Sequence, residues 1–138
     1  MEEVATRNGV RYIDDSKATS LAAMAAALRM CAGNVRLIAG GLPKGDNPLS
    51  VLSDLTKRVK KVYLIGCSAE EFCNAWSKFV DCEICETLER AVASSMREAQ
   101  SGETVLLSPG CASYDQFENF GQRGEFFARL VKKEGQNK

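Results

Sequence analysis

The feature that most constrains the fold is the alternation of short apolar runs with helical patterns along this 138-residue chain. Apolar runs at residues 35–39, 61–65 and 104–107 each end in glycine or other small residues, and each is followed by apolar residues at helical spacing. Strands that alternate with helices form mostly parallel, twisted sheets with helices on both faces. We therefore predict a Rossmann-like α/β fold, a three-layer sandwich around a sheet of about six strands.

The first residues carry the pattern of a β-hairpin. Asn8-Gly9 separates two alternating runs between residues 4 and 13, and a type I′ turn needs residues that tolerate positive φ at both central positions. We expect the first strand to be an antiparallel strand at the edge of the sheet.

Amphipathic helices are expected wherever apolar residues recur every three or four positions. Thr19 or Ser20 is expected to cap the first helix and Thr87 the fourth, because a hydroxyl can accept a hydrogen bond from a first-turn amide. Gly102 is expected to end the fourth helix, and residues 135–138 to form a frayed tail. The expected core positions of the helices, in chain order, are Leu21, Met24, Ala25 and Leu28; Leu52, Leu55 and Val59; Phe72, Trp76 and Phe79; Leu88, Ala91, Val92, Ser95, Met96 and Ala99; and Phe126, Phe127, Leu130 and Val131.

The composition is that of an ordinary globular domain. Apolar residues make up 45% of the chain, and 18 Lys and Arg balance 18 Asp and Glu. Such a balance gives no reason to expect nucleic acid as a partner. We expect no membrane association either, because no apolar run approaches the roughly 18 residues of a membrane span.

Cysteine usage favours reduced thiols in a cytoplasmic protein. The chain has 6 cysteines and no histidine, so a mixed Cys/His zinc site is impossible and no metal site is predicted. Cys82 and Cys85 form a single Cys-x-x-Cys, which is a weak redox signal because it falls on a strand pattern rather than a helix start. We interpret Cys111 as a small residue in a tight turn, since no histidine is present to activate it.

Three loops that follow strands hold the candidate functional groups, at residues 14–19, 40–47 and 108–120. Loops after parallel strands emerge at the same edge of a sheet, where open α/β sheets bind their ligands. These loops contain two lysines, several hydroxyls, and glycines that expose backbone N–H groups, which together can bind anions. The Gly-Gly-Leu-Pro-Lys-Gly run at 40–45 is not a Walker A loop, and no Gly-x-Gly-x-x-Gly occurs. The chain therefore lacks a recognisable nucleotide triphosphate site of its own.

Three motifs in these loops resemble those of one enzyme family. They are Asp-Ser-Lys-Ala-Thr at 15–19, Gly-Gly-x-x-Lys-Gly at 40–45, and Ser-Pro-x-x-Ala-Ser-x-Asp-x-Phe-x-Asn-Phe-x-x-Arg-Gly at 108–124. The order and spacing resemble the carboxy-terminal domain of the Mur ligases, and the last motif is similar to that of the members that add D-glutamate. The resemblance covers nearly the whole chain.

This resemblance implies an ATP- and Mg²⁺-dependent ligase of peptidoglycan precursor synthesis. In that family ATP phosphorylates the carboxylate of UDP-N-acetylmuramoyl-L-alanine, and the amine of D-glutamate attacks the acyl phosphate to form an amide. By resemblance, D-glutamate is bound by Thr19, Lys44, Ser113 and the backbone N–H of Phe120. Asp15 resembles the residue that contacts the ATP ribose, and Lys17 resembles a catalytic lysine that faces the phosphates.

The resemblance also implies that residues 1–138 are a single D-glutamate-binding domain, without the UDP-binding and central ATPase domains of the family. Alone, it is expected to be inactive, and the full-length enzyme would close it over the central domain. The alternatives are the same domain of another Mur ligase or of a folylpolyglutamate synthase, or a non-catalytic flavodoxin-like binding module. A diaminopimelate-type Asp-Asn-Pro-Arg motif is not matched, because Leu49 follows Pro48.

Overall fold

The computed structural model describes residues 1–136 and confirms the α/β architecture. Strands and helices alternate after an initial hairpin, and a short 3₁₀ helix at Pro48–Val51 leads into the second α-helix. No helix among these residues is long and apolar enough to cross a membrane. The elements are β1 (Glu2–Arg7), β2 (Val10–Asp14), α1 (Leu21–Arg29), β3 (Val35–Gly40), α2 (Leu52–Arg58), β4 (Val59–Ile65), α3 (Ala69–Trp76), β5 (Asp81–Glu86), α4 (Leu88–Glu98), β6 (Thr104–Leu107) and α5 (Phe120–Gln136).

The sheet has six strands in the order β1-β2-β6-β3-β4-β5. Strand β1 pairs antiparallel with β2, and every other pair is parallel. The predicted hairpin is confirmed, with φ of 54° at Asn8 and 79° at Gly9. Because β6 lies between β2 and β3, the loops that follow these three strands leave the sheet side by side. We call them loop A (residues 15–20, after β2), loop B (41–47, after β3) and loop C (108–119, after β6).

Each face of the sheet has its own apolar core, and the alternation of side chains along the strands decides which residues enter which core. Leu37 and Leu64 face the core beneath α1, α2 and α3, whereas their neighbours Ile38 and Tyr63 face the core beneath α4 and α5. All four side chains are fully buried. The strands therefore read as continuous apolar runs because both faces are covered.

Most of the predicted helix signals are confirmed. Ser20, rather than Thr19, caps α1 by accepting a hydrogen bond from Ala23 N–H at 3.2 Å. Thr87 caps α4 by accepting from Arg90 N–H at 3.2 Å. Helix α4 ends with Ala99 in an extended conformation, so Gly102 is not its C′ residue as predicted.

Three further expectations about the helices were wrong. Val59 does not belong to the second helix, because it begins β4 and pairs with Val35 of β3. Phe79 lies beyond the end of α3 and is 54% exposed, while the following Val80 enters the core instead. The predicted tail at 135–138 is helical as far as Gln136, and residues 137–138 lie outside the described residues.

A network of charged side chains lies toward the amino ends of the strands, away from loops A, B and C. Arg36 donates from Nε to Glu103 at 2.8 Å and from Nη1 to the Tyr63 hydroxyl at 2.9 Å. The Tyr63 hydroxyl donates to Glu98 at 2.7 Å, and Lys60 donates to the second oxygen of Glu103 at 2.9 Å. Arg36 and Glu103 are almost completely buried, so each depends on the other for its charge to be tolerated there.

Replacing Glu103 with glutamine should lower the free energy of unfolding by about 3 kcal/mol, because it leaves the buried Arg36 charge without its carboxylate. Burial alone would raise the pKa of Glu103, but hydrogen bonds from Arg36, Lys60 and a backbone amide lower it to about 2. The carboxylate therefore stabilises the fold above the ordinary glutamate pKa, and this contribution is lost as pH falls toward 2. Urea unfolding measured between pH 2 and 7 should show that the free energies of unfolding of wild type and Glu103→Gln approach each other as the pH falls toward 2. The exposed Glu70 provides the control variant, Glu70→Gln, which should stay within about 0.5 kcal/mol of wild type.

Candidate functional site

Loops A, B and C hydrogen-bond to one another at the carboxyl edge of the sheet. Leu42 of loop B and Ala112 of loop C form an antiparallel bridge, with N–H to carbonyl distances of 2.9 and 3.0 Å. The Gly110 N–H of loop C donates to the Ala18 carbonyl of loop A at 2.8 Å. The loops are therefore parts of one rim, although residues nearly a hundred positions apart in the chain meet in it.

The glycine at position 41 is required for this contact. Its φ of +142° is a conformation that L side chains rarely adopt, and an added β-carbon would lie 2.5 Å from the Ala112 carbonyl oxygen. The Gly41 N–H donates to the Ser68 hydroxyl at 3.1 Å. Loop B can lie against loop C only because Gly41 has no side chain.

Lys44 and Thr19 connect loops A and B on the exposed side of the rim. The Lys44 ammonium donates to the Thr19 hydroxyl at 3.1 Å. Lys44 is exposed and Thr19 is partly buried, so a solvent-accessible cation lies beside a hydroxyl. An ammonium and a hydroxyl in this arrangement can both donate to one carboxylate.

Asp15, Lys17 and Phe120 line one cavity of about 220 Å³ between loop A and the start of α5. The Asp15 carboxylate accepts a hydrogen bond from the Ser108 hydroxyl of loop C at 2.9 Å, which fixes its orientation. Lys17 is exposed. This cavity combines an acceptor and a cation, the pair of groups that a ribose hydroxyl and a phosphate would need.

Phe120 begins α5, where the backbone amides of the first turn have no partner within the helix. The preceding Asn119 accepts from the Gln122 N–H at 2.8 Å, and the Gln122 side chain accepts from the Glu118 N–H at 2.8 Å. These reciprocal bonds fix the helix start beside the rim. Ser113 lies in loop C at the same edge, but it is only 2% exposed. Unlike Lys44, it is therefore not accessible to solvent.

Three residues of this region were not predicted from the sequence as part of the site. Arg123 of α5 is 1% exposed, and its Nη2 donates to the Ser16 carbonyl of loop A at 2.9 Å. Ser68 accepts from loop B, and Asp115 accepts from the Cys67 N–H at 3.1 Å. Arg123 and Asp115 are both fixed positions of the 108–124 motif, which was a usable signal, whereas Ser68 stands in none of the three motifs.

The cysteines carry no sign of catalytic chemistry. Cys111 is fully buried in loop C, and burial raises the pKa of its thiol to about 11 despite the Ser68 hydroxyl at 3.6 Å. Cys82 and Cys85 pack on opposite faces of β5, since they belong to different apolar cores. Burial raises the pKa of both thiols to about 12, the opposite of what a reactive Cys-x-x-Cys requires.

The fold and the rim together define an α/β domain in which the loops after adjacent parallel strands form one edge. The family model for the glutamate ligase domain of Mur ligases matches residues 1–111. The chain belongs to this Mur ligase family.

Known relatives extend the match along most of the chain. A UDP-N-acetylmuramoylalanine–D-glutamate ligase of Cereibacter sphaeroides is 48% identical over 129 residues, which are 94% of this chain and 27% of the relative. The ligase of the same name in Myxococcus xanthus is 42% identical over 131 residues, 95% of this chain and 29% of the relative. The chain thus spans less than a third of the length of the curated relatives it matches.

Solved structures support the fold independently. A domain from a candidate UDP-N-acetylmuramate:L-alanyl-γ-D-glutamyl-meso-diaminopimelate ligase of Haemophilus ducreyi superposes with a TM-score of 0.62 at 12% identity, covering 94% of this chain and 98% of that one. A murein peptide ligase of Psychrobacter arcticus gives a TM-score of 0.62 at 12% identity, covering 95% of this chain and 29% of that one. At such low identity these likenesses concern the fold alone.

Substituting alanine at Gly41 should destabilise the protein by roughly 3 kcal/mol and separate loops B and C, since strain at positive φ adds to the collision with Ala112. Gly45 in the same loop is the matched control. Its φ is also positive, at +84°, but nothing lies within 4 Å of an added β-carbon, so Gly45→Ala should cost only about 1 kcal/mol. Thermal unfolding of both variants provides the measurement, and equal losses would contradict the proposed packing role of Gly41.

Thiol labelling at neutral pH should modify the exposed Cys67 first and leave Cys111 unmodified in the folded protein. Cys111 should react only after denaturant unfolds the chain, because its thiol is both inaccessible and protonated. Peptide mapping by mass spectrometry identifies the labelled positions. Labelling of Cys111 before Cys67 under native conditions would show that loop C opens far more readily than its packing indicates.

Proposed function

We propose that this chain is the acceptor-amino-acid domain of a ligase that joins D-glutamate to UDP-N-acetylmuramoyl-L-alanine in peptidoglycan precursor synthesis. The names of its relatives support this proposal, as does the match to the glutamate ligase domain family. In this proposal residues 1–138 form one domain, and the UDP-binding and ATPase functions reside in other parts of the full-length cytoplasmic enzyme.

The observation that carries the proposal is the contact between Lys44 and Thr19 across loops A and B. D-glutamate has two carboxylates and one amine, so its site must bind anionic groups at two points and leave the amine free to react. Lys44 and Thr19 are assigned to one carboxylate. The hydroxyl of Ser113 and the backbone N–H of Phe120 are assigned to the other. Because Ser113 is nearly buried, loop C is expected to shift slightly when the amino acid binds.

The nucleotide is assigned to the cavity beside loop A. Asp15 is suited to accept hydrogen bonds from a ribose, and its carboxylate is already oriented by Ser108. Lys17 is assigned the catalytic role of binding phosphate oxygens, because its exposed ammonium can follow charge that develops during transfer. Mg²⁺ would be supplied with ATP, and within residues 1–136 no group of three or more acidic or cysteine side chains could hold it.

The domain is expected to contribute binding and orientation rather than a complete reaction. Once the substrate carboxylate carries phosphate, the D-glutamate nitrogen forms a bond to the carbonyl carbon, phosphate leaves with its bonding electrons, and the amine loses a proton. Holding the amine about 3 Å from that carbon contributes mainly through proximity. This chain alone is therefore expected to bind D-glutamate weakly and to catalyse no ligation.

Titrating the isotope-labelled protein with D-glutamate and with L-glutamate tests the proposal. D-glutamate should shift the backbone amide signals of Gly41, Lys44 and Phe120 in NMR spectra at millimolar concentration, and L-glutamate should shift them less. Absence of any shift in a folded sample would instead favour a non-catalytic binding module.

Lys44→Ala should weaken D-glutamate binding about tenfold, since a charge-assisted hydrogen bond to a carboxylate is lost. Lys78→Ala removes an exposed lysine next to the end of α3 and serves as the control. The same NMR titration measures both. If Lys44→Ala binds D-glutamate as tightly as wild type, Lys44 is not part of the binding site.

A further inference from the structure

Arg123 lies where all three loops of the rim meet. Its Nη2 donates to the Ser16 carbonyl of loop A at 2.9 Å. Its Nη1 lies 3.3 Å from the point that a β-carbon on Gly41 of loop B would occupy, and the Cys111 β-carbon of loop C lies 3.2 Å from the same point. One guanidinium therefore lies against loops A and B, and near enough to Cys111 of loop C to interact with it electrostatically.

Helix α5 can approach the end of β2, where loop A begins, only because Gly124 follows Arg123. A β-carbon on Gly124 would collide with the carboxylate of Asp14, at the end of β2. The pair Arg123-Gly124 thus combines a long side chain that reaches beneath the rim with a residue small enough to let the helix come close.

The positive charge of Arg123 is buried without an ion-pair partner in residues 1–136. The side chain is 1% exposed, and Nε and Nη1 form no hydrogen bond within this part of the chain. The nearby carboxylates accept from other donors: Asp14 from Ser16 N–H and hydroxyl at 2.9 and 2.6 Å, and Asp115 from Cys67 N–H at 3.1 Å. Burial lowers the pKa of Arg123 to about 10, although the nearby Asp115 and Asp14 carboxylates act to raise it, so the guanidinium still carries its charge at neutral pH.

A buried cation without a direct ion pair is unfavourable in the free protein and becomes less so when an anion binds nearby. We propose that Arg123 is a positioning residue whose buried guanidinium holds the three loops in register and whose charge favours binding of a dicarboxylate above them. This inference rests on the proposed function, because D-glutamate is the dicarboxylate assigned to the rim. Arg123 itself is not expected to touch the amino acid.

The test compares Arg123→Met, which keeps most of the side-chain volume but removes the charge, with Arg123→Lys, which keeps the charge. In NMR titrations with D-glutamate, Arg123→Met should bind at least tenfold more weakly than wild type, and Arg123→Lys should recover most of that loss. A purely space-filling role predicts no such dependence on charge, because methionine fills most of the same volume. Wild-type affinity in Arg123→Met, or equal weakening in both variants, would overturn the proposal.

A second measurement decides the matter if Arg123→Met fails to fold. In the wild-type protein, the Nε–H signal of Arg123 should shift when D-glutamate is added. If the signals of Lys44 and Phe120 shift and the Nε–H signal of Arg123 does not, the proposal is overturned.

Failure of the wild-type protein to bind D-glutamate would reject the proposed function itself. The loop-holding role is then decided without ligand by amide hydrogen exchange at Gly110 and Ala112, which must be faster in Arg123→Lys or Arg123→Met than in wild type. Unchanged exchange in a folded variant would overturn that role.

Discussion

The parallel pairing of β6 with both β2 and β3 is the constraint on which the rest of the structure depends. It brings together loops from distant parts of the chain, because the carboxyl ends of adjacent parallel strands point to one edge. Helices cover both faces of the resulting sheet, so its central strands supply residues to two cores. Without β6 in the centre, loops A and B would lack the surface of loop C against which they pack.

The sequence predicts the architecture well where the signal is local or repeated. Asn8-Gly9 specifies its turn through backbone conformation alone, and apolar periodicity locates each α-helix among residues 1–136, though not the 3₁₀ helix at Pro48–Val51. Errors occur where tertiary contacts override the local pattern. Val59 continues the helical spacing of Leu55, yet it pairs with Val35 in the sheet and therefore belongs to a strand. After Trp76 the helix ends in a turn, so that Val80 instead of Phe79 is buried in the core.

The site divides in the same way. Loop positions follow from strand ends, so the sequence could indicate that Lys44 and Thr19 share an edge, and the structure places them 3.1 Å apart. It could not indicate that Ser108 orients Asp15 or that Ser113 is buried, because these depend on how closely the loops pack. Gly41 is intermediate: its presence signals a turn, but only the structure shows that the missing side chain admits the Ala112 carbonyl.

Lys44 and Arg123 differ in the environment of their charge, and under the proposed function this difference suits a site that must also release its ligand. Lys44 is exposed, so water and salt screen its attraction and it can exchange partners. Arg123 is buried among packed loops, where screening is weak and the side chain is fixed. An exposed lysine alone would hold a carboxylate loosely, and a buried arginine alone could not reach it. Under the proposed function, the fixed charge of Arg123 would attract anions to the rim, while the exposed Lys44 would keep the contact with the ligand reversible.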